Sequence, residues 1–276
     1  MHVSTIHGGT NSPISGTEFY KNCFFPEFSS YSGWDCEPID KRSFQLWRIK
    51  TEQHSYFFSC GKLSAYSLND AQSEALAKDK AYTNLLLREA GLCVPQQISY
   101  LGIEDLAPCL KAAPSLGLPF VVKPIAGMQG IDVHVLDHLE DLEAKLNAEA
   151  KVLESYIEGV EYRAVLLDSM LLFAYQRAPG LRVNNLAQGG SVSCLHTPSA
   201  TEMYALKRAA HALNLRIVGA DYKLNRSGEP CFIELNGHPG LRGIFDFGAK
   251  SLAFNSLIAI IKASTPEYLT QTSCVF

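Results

Sequence analysis

The sequence of 276 residues has little positive charge and no long apolar run. Its 24 Lys and Arg residues are outnumbered by 28 Asp and Glu residues, and the net charge is −4. No basic cluster exceeds two adjacent residues, whereas proteins held by nucleic-acid phosphates present a basic surface. No stretch approaches the roughly 20 apolar residues that a membrane span requires. We therefore expect a globular protein that binds neither nucleic acid nor a membrane.

Cysteine pairs of the metal-binding kind are also absent. The eight cysteines are scattered, none forms a C-x-x-C pair, and no histidine pair completes a zinc pattern. Residues 1–13 contain neither the basic nor the apolar region of a secretory signal peptide. These features predict free thiols in a reducing, cytoplasmic setting, and a disulfide framework is the alternative.

The chain changes character along its length, and the mixture of patterns predicts an α+β fold. Residues 1–70 are rich in aromatic, Gly, Ser and Pro residues, which predicts loops with buried aromatics and two strands. From Leu118 onwards, strand and helix patterns alternate. The predicted strands are 44–49, 55–59, 120–123, 162–167, 171–176, 216–224 and 230–235. The predicted helices are 70–90, 139–148, a helix capped by Ser199 and Glu202, and 251–262.

The most informative pattern joins Asp221, Glu234 and Asn236. A turn at 225–228 would close a hairpin in which Asp221 lies opposite Phe232. Because successive strand residues alternate faces, Glu234 and Asn236 would share the face of Phe232, with Asp221 joining them diagonally. Two carboxylates and an amide oxygen suit Mg²⁺, which prefers oxygen ligands. A solvated sheet face with a polar residue at every second position is the alternative.

Lys123 ends an apolar strand and is followed by Gly127 and Gly130. A lysine there can neutralise phosphate, and glycines let backbone N–H groups approach phosphate oxygens. The P-loop motif is absent, because no Gly-Lys-Ser/Thr follows. A surface hairpin would have the same pattern, so this segment alone does not define a site.

Two further segments carry polar groups in exposed settings. Residues 152–161 combine a strand with a short linker whose backbone groups can pair with an adenine edge, and Glu161 can accept from ribose hydroxyls. Arg177, Arg182 and Asn185 belong to a polar region after a strand, and arginine is the residue that clamps anionic oxygens. Taken alone, the first segment is nonspecific, and the second is better explained as a solvent-exposed loop.

In their order along the chain, these segments resemble the ATP-grasp superfamily, nearest to the amino-acid ligases of the RimK glutamate ligase and cyanophycin synthetase type. The resemblance covers about residues 70–250. It is most specific at Asp79-Lys80, Val122-Lys123-Pro124, Gln176-Arg177, 185–190, Gly219-Ala220-Asp221 and, above all, 233–241. It implies an ATP-grasp fold, in which two α+β lobes clasp ATP, preceded by a short N-terminal segment.

The resemblance also implies a division of the chain. Residues 1–75 would form a reduced N-terminal domain and 76–276 the ATP-grasp domain. Within the latter, 118–155 would be a small mobile lobe and 156–276 a metal-binding lobe. Family members usually have a first domain of about a hundred residues before the helix that carries the Lys80 equivalent, and that domain often shapes the substrate pocket. Here only about 70 residues precede this helix, and they match the family poorly. The resemblance therefore does not identify the substrate.

Residue roles follow from the resemblance in four groups. Lys80 and Lys123 would hold the α- and β-phosphates under the loop of Gly127 and Gly130. The adenine linker would comprise Glu154, Ser155 and Ile157, with Glu161 on the ribose. Asp221, Glu234 and Asn236 would bind two Mg²⁺ ions, or Mn²⁺. The catalytic set would be Arg177 on the transferred phosphoryl group, with Arg182 and Asn185 near the γ-phosphate and the acceptor carboxylate. Arg163 also matches, and a supporting salt bridge is the simplest role for it.

The implied activity is an ADP-forming ligase that joins a carboxylate to an amine through an acyl phosphate. Its substrates would be amino acids or peptides, without nucleic acid or membrane partners, and a homodimer is compatible with it. Two alternatives stay open. One is an ATP-grasp phosphotransferase (kinase), and the other is a non-catalytic ATP-binding module that recruits a partner.

Overall fold

The chain divides into two compact units, residues 1–65 and 66–276. The computed structural model describes residues 15–60, 66–127, 130–178, 190–225 and 227–264. Both units combine helices with antiparallel sheet, which agrees with the predicted α+β class. Within the described residues, no helix is long and apolar enough to cross a membrane.

The first unit packs helical turns on a three-stranded antiparallel sheet. The helical part comprises α1 (Gly16–Phe19), a π-helical turn (Tyr20–Phe24) and α2 (Phe25–Ser32). The strands are β1 (Asp35–Pro38), β2 (Leu46–Lys50) and β3 (Ser55–Ser59), in the order β1-β2-β3. Phe24, Phe25 and Phe28 are buried, and Phe25 contacts Trp47 and Phe58 of the sheet.

The prediction that residues 24–26 and 31–34 form loops with buried aromatics is only partly correct, because residues 25–32 form a helix. Phe24 and Phe25 are buried as predicted, whereas Tyr31 is exposed. Tyr20, Phe24 and Phe28 recur every four residues, so a helix places them on one face. Pro26 does not oppose this helix, because it occupies the first turn of α2, where no backbone N–H partner is lost.

The second unit contains two sheets, and the smaller is the four-stranded antiparallel sheet β4-β7-β5-β6. Its strands are β4 (Gln97–Tyr100), β5 (Phe120–Pro124), β6 (His134–Leu136) and β7 (Lys151–Ser155). Helix α5 (Leu106–Ala112) accompanies it, and its core includes Tyr100, Phe120 and Leu153. The predicted helix over 139–148 is wrong. Two 3₁₀ turns, Leu139–Asp141 and Glu143–Lys145, replace it, because Leu142 is the single fully buried residue of this short segment.

The larger sheet of the second unit is five-stranded and antiparallel, in the order β10-β9-β8-β11-β12. Its strands are β8 (Glu161–Leu167), β9 (Met170–Arg177), β10 (Val192–Leu195), β11 (Ile217–Leu224) and β12 (Pro230–Asn236). The helices of this part are α3 (Ala71–Lys78), α4 (Lys80–Glu89), α6 (Ala200–Ala212), α7 (Arg242–Asp246) and α8 (Lys250–Ala263). The predicted strands 162–167 and 171–176 pair with each other as β8 and β9. The predicted hairpin around 225–228 and the Ser199–Glu202 cap are confirmed.

The predicted helix 70–90 is interrupted at Asp79. Asp70 caps α3 as expected, and the Asp79 carboxylate caps α4 by accepting from the N–H groups of Ala81 and Tyr82. The interruption makes Lys80 the first residue of α4 and turns its side chain towards the sheets. A core of α3, α4 and α6 residues, including Leu87, Leu206 and Ala209, packs against Phe232 and Leu235 of β12. This packing positions α4 and β12 side by side.

Candidate active site

A cleft in the second unit is lined by residues of both sheets and of α4. Its empty space, including the open mouth, is about 900 Å³. The predicted site residues that line it are Lys80, Lys123, Gly127, Gly130, Glu154, Ser155, Ile157, Glu161, Arg177, Asp221 and Glu234. Asn236 is the last residue of β12 and is not one of the lining residues. Arg182 and Asn185 lie outside the described residues.

The β11–β12 hairpin brings the predicted metal-binding residues together by a register that differs from the expected one. Asp221 lies opposite Glu234, not opposite Phe232, because a bulge follows Asp221 and Phe232 pairs with Tyr222. A bulge inserts one residue into one strand and so shifts all later pairs. Asp221 and Glu234 are thus direct cross-strand neighbours on one face. Asn236, two residues from Glu234, lies opposite Gly219.

Asp221 is almost completely buried and is held by two arginines. Arg163 Nε donates to one carboxylate oxygen at 2.7 Å, and its Nη2 donates to the other. Arg177 Nη2 donates to the first oxygen at 3.1 Å, and Arg177 Nε lies 2.8 Å from Glu161. The side chains of Arg177 and Asp221 are 3% and 6% exposed. Arg163 therefore has the salt-bridge role that its match suggested.

This network moves the two carboxyl pKa values in opposite directions. Burial alone would raise the pKa of Asp221, but Arg163 and Arg177 hold it below its usual value. Burial and the neighbouring Asp221 charge raise the pKa of Glu161 to about 7, although Arg177 and Lys223 oppose the rise. Charge-assisted hydrogen bonds from the two arginines thus keep the buried Asp221 carboxylate ionised.

Two lysines occupy the same cleft, and each has a defined partner. Lys80 Nζ donates to the Gly127 carbonyl at 2.7 Å and lies 3.5 Å from a Glu234 oxygen. Lys123 Nζ lies 2.7 Å from Glu154, and both side chains are 5% exposed. Lys80 thus connects helix α4, the glycine segment and the carboxylate hairpin at one point.

The linker after β7 is fixed by a residue that the sequence interpretation missed. Lys223 Nζ donates to the Ile157 carbonyl at 2.8 Å and lies 4.7 Å from the centre of the Tyr156 ring. The alternation of side chains along β11 predicts this position, because Lys223 follows Asp221 by two residues and therefore shares its face of the sheet. Gln97 was missed as well, and its amide donates to Glu154 at 2.8 Å.

The loop after β12 is rigidly packed next to the hairpin. Asn236 Oδ1 accepts from the His238 backbone N–H at 2.8 Å, and the His238 ring stacks on Tyr66 with 4.0 Å between centroids. Burial and the nearby Lys78 charge lower the pKa of His238 to about 3, so this ring is neutral at pH 7. Arg242 Nε in α7 lies 2.9 Å from the Asp246 carboxylate, four residues further along the helix.

The oxygen donors of the hairpin fit a hard divalent cation. Asp221, Glu234 and Asn236 supply two carboxylates and an amide oxygen, the set that Mg²⁺ accepts. A carboxylate has about four lone-pair positions, and arginine donors occupy three of those on Asp221. Glu234 is the more accessible ligand, with its side chain 35% exposed. Among described residues, no group of three His, Cys, Asp or Glu side chains could hold a metal ion.

The part of the chain that forms this site matches a known protein family. A family model described as a RimK-like ATP-grasp domain matches residues 77–261. The chain belongs to the RimK-like ATP-grasp family. The match begins in α3 and ends in α8, so it includes both sheets of the second unit.

Relatives of this ATP-grasp chain carry the name probable alpha-L-glutamate ligase. The protein of Chromohalobacter salexigens is 31% identical over an alignment of 257 residues, and the match covers 86% of this chain and 81% of that protein. The protein of Stutzerimonas stutzeri is 26% identical over an alignment of 232 residues, and the match covers 78% of this chain and 75% of that protein. The protein of Shewanella halifaxensis is 28% identical over 207 residues, and this match covers 68% of the chain but 44% of that protein.

Solved structures support the same fold. The ATP-grasp ligase PsnB, complexed with a minimal precursor, Mg and ADP, superposes with a TM-score of 0.57 at 22% identity, over 71% of this chain and 62% of its own. D-alanine–D-alanine ligase from Bacillus anthracis, complexed with ATP, gives 0.57 at 21% identity, over 71% and 68%. These matches confirm the predicted ATP-grasp fold, and the family with its named relatives confirms the predicted ligase class.

Proposed function

We propose that this chain is an ATP- and Mg²⁺-dependent ligase that joins the carboxylate of one amino acid or peptide to the amine of another, with release of ADP and phosphate. The observation that carries the proposal is the convergence of Lys80, Arg177, Asp221 and Glu234 in one cleft. Such a set can neutralise a triphosphate and a developing phosphoryl charge together.

The phosphates would lie at the end of the cleft where Lys80 meets Glu234 and Gly127. Lys80 and Lys123 supply positive charge there, and the backbone of Gly127 and Gly130 can approach phosphate oxygens closely. Lys123 now neutralises Glu154 at 2.7 Å, so phosphate binding would share or replace this ion pair. The linker Glu154, Ser155 and Ile157 would face the base, and Glu161 the ribose.

Mg²⁺ would be held by Glu234 and Asn236, with the free lone-pair position of Asp221 as a third ligand. A divalent cation held there would supply positive charge that neutralises the phosphates. The expectation of two ions, or of Mn²⁺ as a substitute, stays a prediction. Initial rates at fixed MgATP and rising free Mg²⁺ test it, since a second ion would give further activation.

The chemistry needs no covalent enzyme intermediate. A substrate carboxylate oxygen attacks the γ-phosphorus, the bond from that phosphorus to the β–γ bridging oxygen breaks, and ADP leaves. The amine of the second substrate then attacks the acyl carbon, phosphate departs with its electron pair, and the nitrogen loses a proton. Arg177 would stabilise the charge of the phosphoryl group, and Arg182 and Asn185 would assist near the γ-phosphate and the acceptor. The protein positions the reactants and neutralises charge.

The decisive assay supplies Mg-ATP with pairs of carboxylic acids and amines and measures ADP, phosphate and product mass. L-Glutamate is the first amino acid to include, because relatives are named for it. We expect ADP release that requires both partners and an amide product of matching mass. A stable phosphorylated product would instead indicate a phosphotransferase, and binding of ATP without turnover on any pair would indicate a non-catalytic module. Either result would overturn the proposal.

A further inference from the structure

Lys223 is a buried cation whose donors are only partly used. The residue is 7% exposed, and it lines the cleft. An ammonium has three N–H donors. Within the described part of the chain, its contacts are one hydrogen bond to the Ile157 carbonyl and the face of Tyr156. A buried charge requires further hydrogen bonds to offset its lost hydration, so the unused donors call for an acceptor in the cleft.

The position of Lys223 shows which part of a ligand this acceptor belongs to. Lys223 lies two residues beyond Asp221 on β11, about 7 Å further along the same face. It pairs across the sheet with Glu161 and contacts the linker at Ile157. The lysine is therefore displaced from the phosphate end at Asp221 and Glu234 towards the end bounded by the linker.

We propose that Lys223 is a base-recognition residue, which donates a hydrogen bond to a ring nitrogen of the purine base. This inference rests on the proposed function, because it takes the cleft as a nucleotide site. Purine nitrogens N1, N3 and N7 are acceptors, which matches the donor-only ammonium. The same ammonium fixes the Ile157 carbonyl, so Lys223 holds the linker and the base relative to each other.

The test compares the binding of ATP with that of 1-deaza-, 3-deaza- and 7-deaza-ATP, each of which replaces one ring nitrogen by C–H. Dissociation constants are measured with Mg²⁺ by isothermal titration calorimetry. For the wild-type protein we expect one analogue to bind about tenfold or more weakly than ATP, as for a hydrogen bond to a charged group. For Lys223→Met we expect weaker binding of ATP and no discrimination against that analogue.

A matched control is Lys207→Met, which removes an exposed lysine from α6 and should keep the wild-type discrimination. If far-ultraviolet circular dichroism shows that Lys223→Met is unfolded, Lys223→Leu takes its place, since it also lacks a hydrogen-bond donor. Equal binding of ATP and all three analogues by the wild type would overturn the inference while the nucleotide site stands. Unchanged discrimination in the Lys223 variant would do the same. A wild-type protein that binds no ATP would instead remove the proposed function itself.

Discussion

At the scale of single residues, the two carboxylates of the hairpin have unequal surroundings. Asp221 is buried between Arg163 and Arg177, whereas Glu234 is one third exposed and has Lys80 at 3.5 Å. The sequence predicted both as cation ligands but could not predict this asymmetry. The reason is that Arg163 and Arg177 reach Asp221 from β8 and β9, and only the sheet order brings those strands beside β11.

The asymmetry predicts different outcomes for substitutions of equal size. Glu234→Gln should lower kcat by about 100-fold or more, because a charge at the reacting phosphates is lost. Its free energy of unfolding should change by less than about 1 kcal/mol, since the ion pair is partly exposed. Asp221→Asn should lower activity as well and cost about 3–5 kcal/mol, because Arg163 loses its counter-charge and Arg177 loses the Asp221 charge while retaining Glu161.

Urea unfolding and steady-state rates measured on both variants check this pair of predictions. Asp246→Asn is the control, since its side chain is 52% exposed and pairs only at the surface with Arg242. It should leave both quantities near wild type. The assignment of Glu234 as the principal cation ligand is wrong if Glu234→Gln keeps more than half of the wild-type kcat.

At the scale of elements, caps and turns were predictable and bulges were not. The capping box of α6 is a local pattern, so Ser199 and Glu202 identified it directly. The bulge after Asp221 has no such local pattern, so the register that it sets could not be predicted from the sequence. The predicted helix over 139–148 is wrong for a related reason. The segment has helical periodicity, but Leu142 is its only fully buried residue, so few tertiary contacts stabilise a helix there.

The α6 cap should make stability depend on acid pH. Burial alone would raise the pKa of Glu202, but hydrogen bonds from the Ser199 N–H, His196 and Tyr222 hold it below 4.5. A depressed pKa stabilises the fold above the unfolded pKa, and this contribution is lost as pH falls through the folded pKa. Glu202→Gln should therefore be about 1.5–3 kcal/mol less stable than wild type at pH 7. The difference should shrink below pH 4.5.

Urea unfolding at pH 7, 5, 4 and 3 measures this difference for Glu202→Gln and for Glu89→Gln, an exposed glutamate at the end of α4. The Glu89 variant should follow the wild type at every pH. A constant deficit of Glu202→Gln between pH 7 and pH 3 would contradict the pKa argument, because it would mean that the carboxylate charge contributes nothing.

The close approach of β11 to the loop after β12 should make a substitution of Gly219 destabilising. A Cβ on Gly219 would lie 2.8 Å from Pro239 Cβ, whereas a Cβ on Gly240 would meet nothing within 4 Å. Gly219→Ala should therefore lose about 1–3 kcal/mol by overpacking, and it should reduce kcat because Gly219 is the partner of Asn236. Gly240→Ala, in the same loop, should be close to neutral in thermal unfolding. Equal melting temperatures for the two variants would refute this account.

At the scale of the whole molecule, the division of chemistry along the chain was predictable, but the fold of the first unit was not. The order and spacing of the motifs along the chain were enough to predict that Lys80, Lys123 and the carboxylate hairpin belong to one site. The N-terminal part offered aromatic residues without charged groups in a recognisable order, and its helical face of Tyr20, Phe24 and Phe28 was hidden by Pro26.

This division predicts that nucleotide binding and substrate choice can be separated. Every described residue of the cleft lies within 66–276. A fragment of residues 66–276 should therefore fold, show one cooperative thermal transition and bind Mg-ATP within about threefold of the full chain. The same fragment should lose much of its preference among carboxylate and amine substrates if the first unit shapes their pocket. Calorimetry of ATP binding and the ligase assay on both proteins measure the two properties independently. ATP affinity reduced tenfold in a folded fragment would show that the first unit contributes to the nucleotide site, and would end the proposed separation.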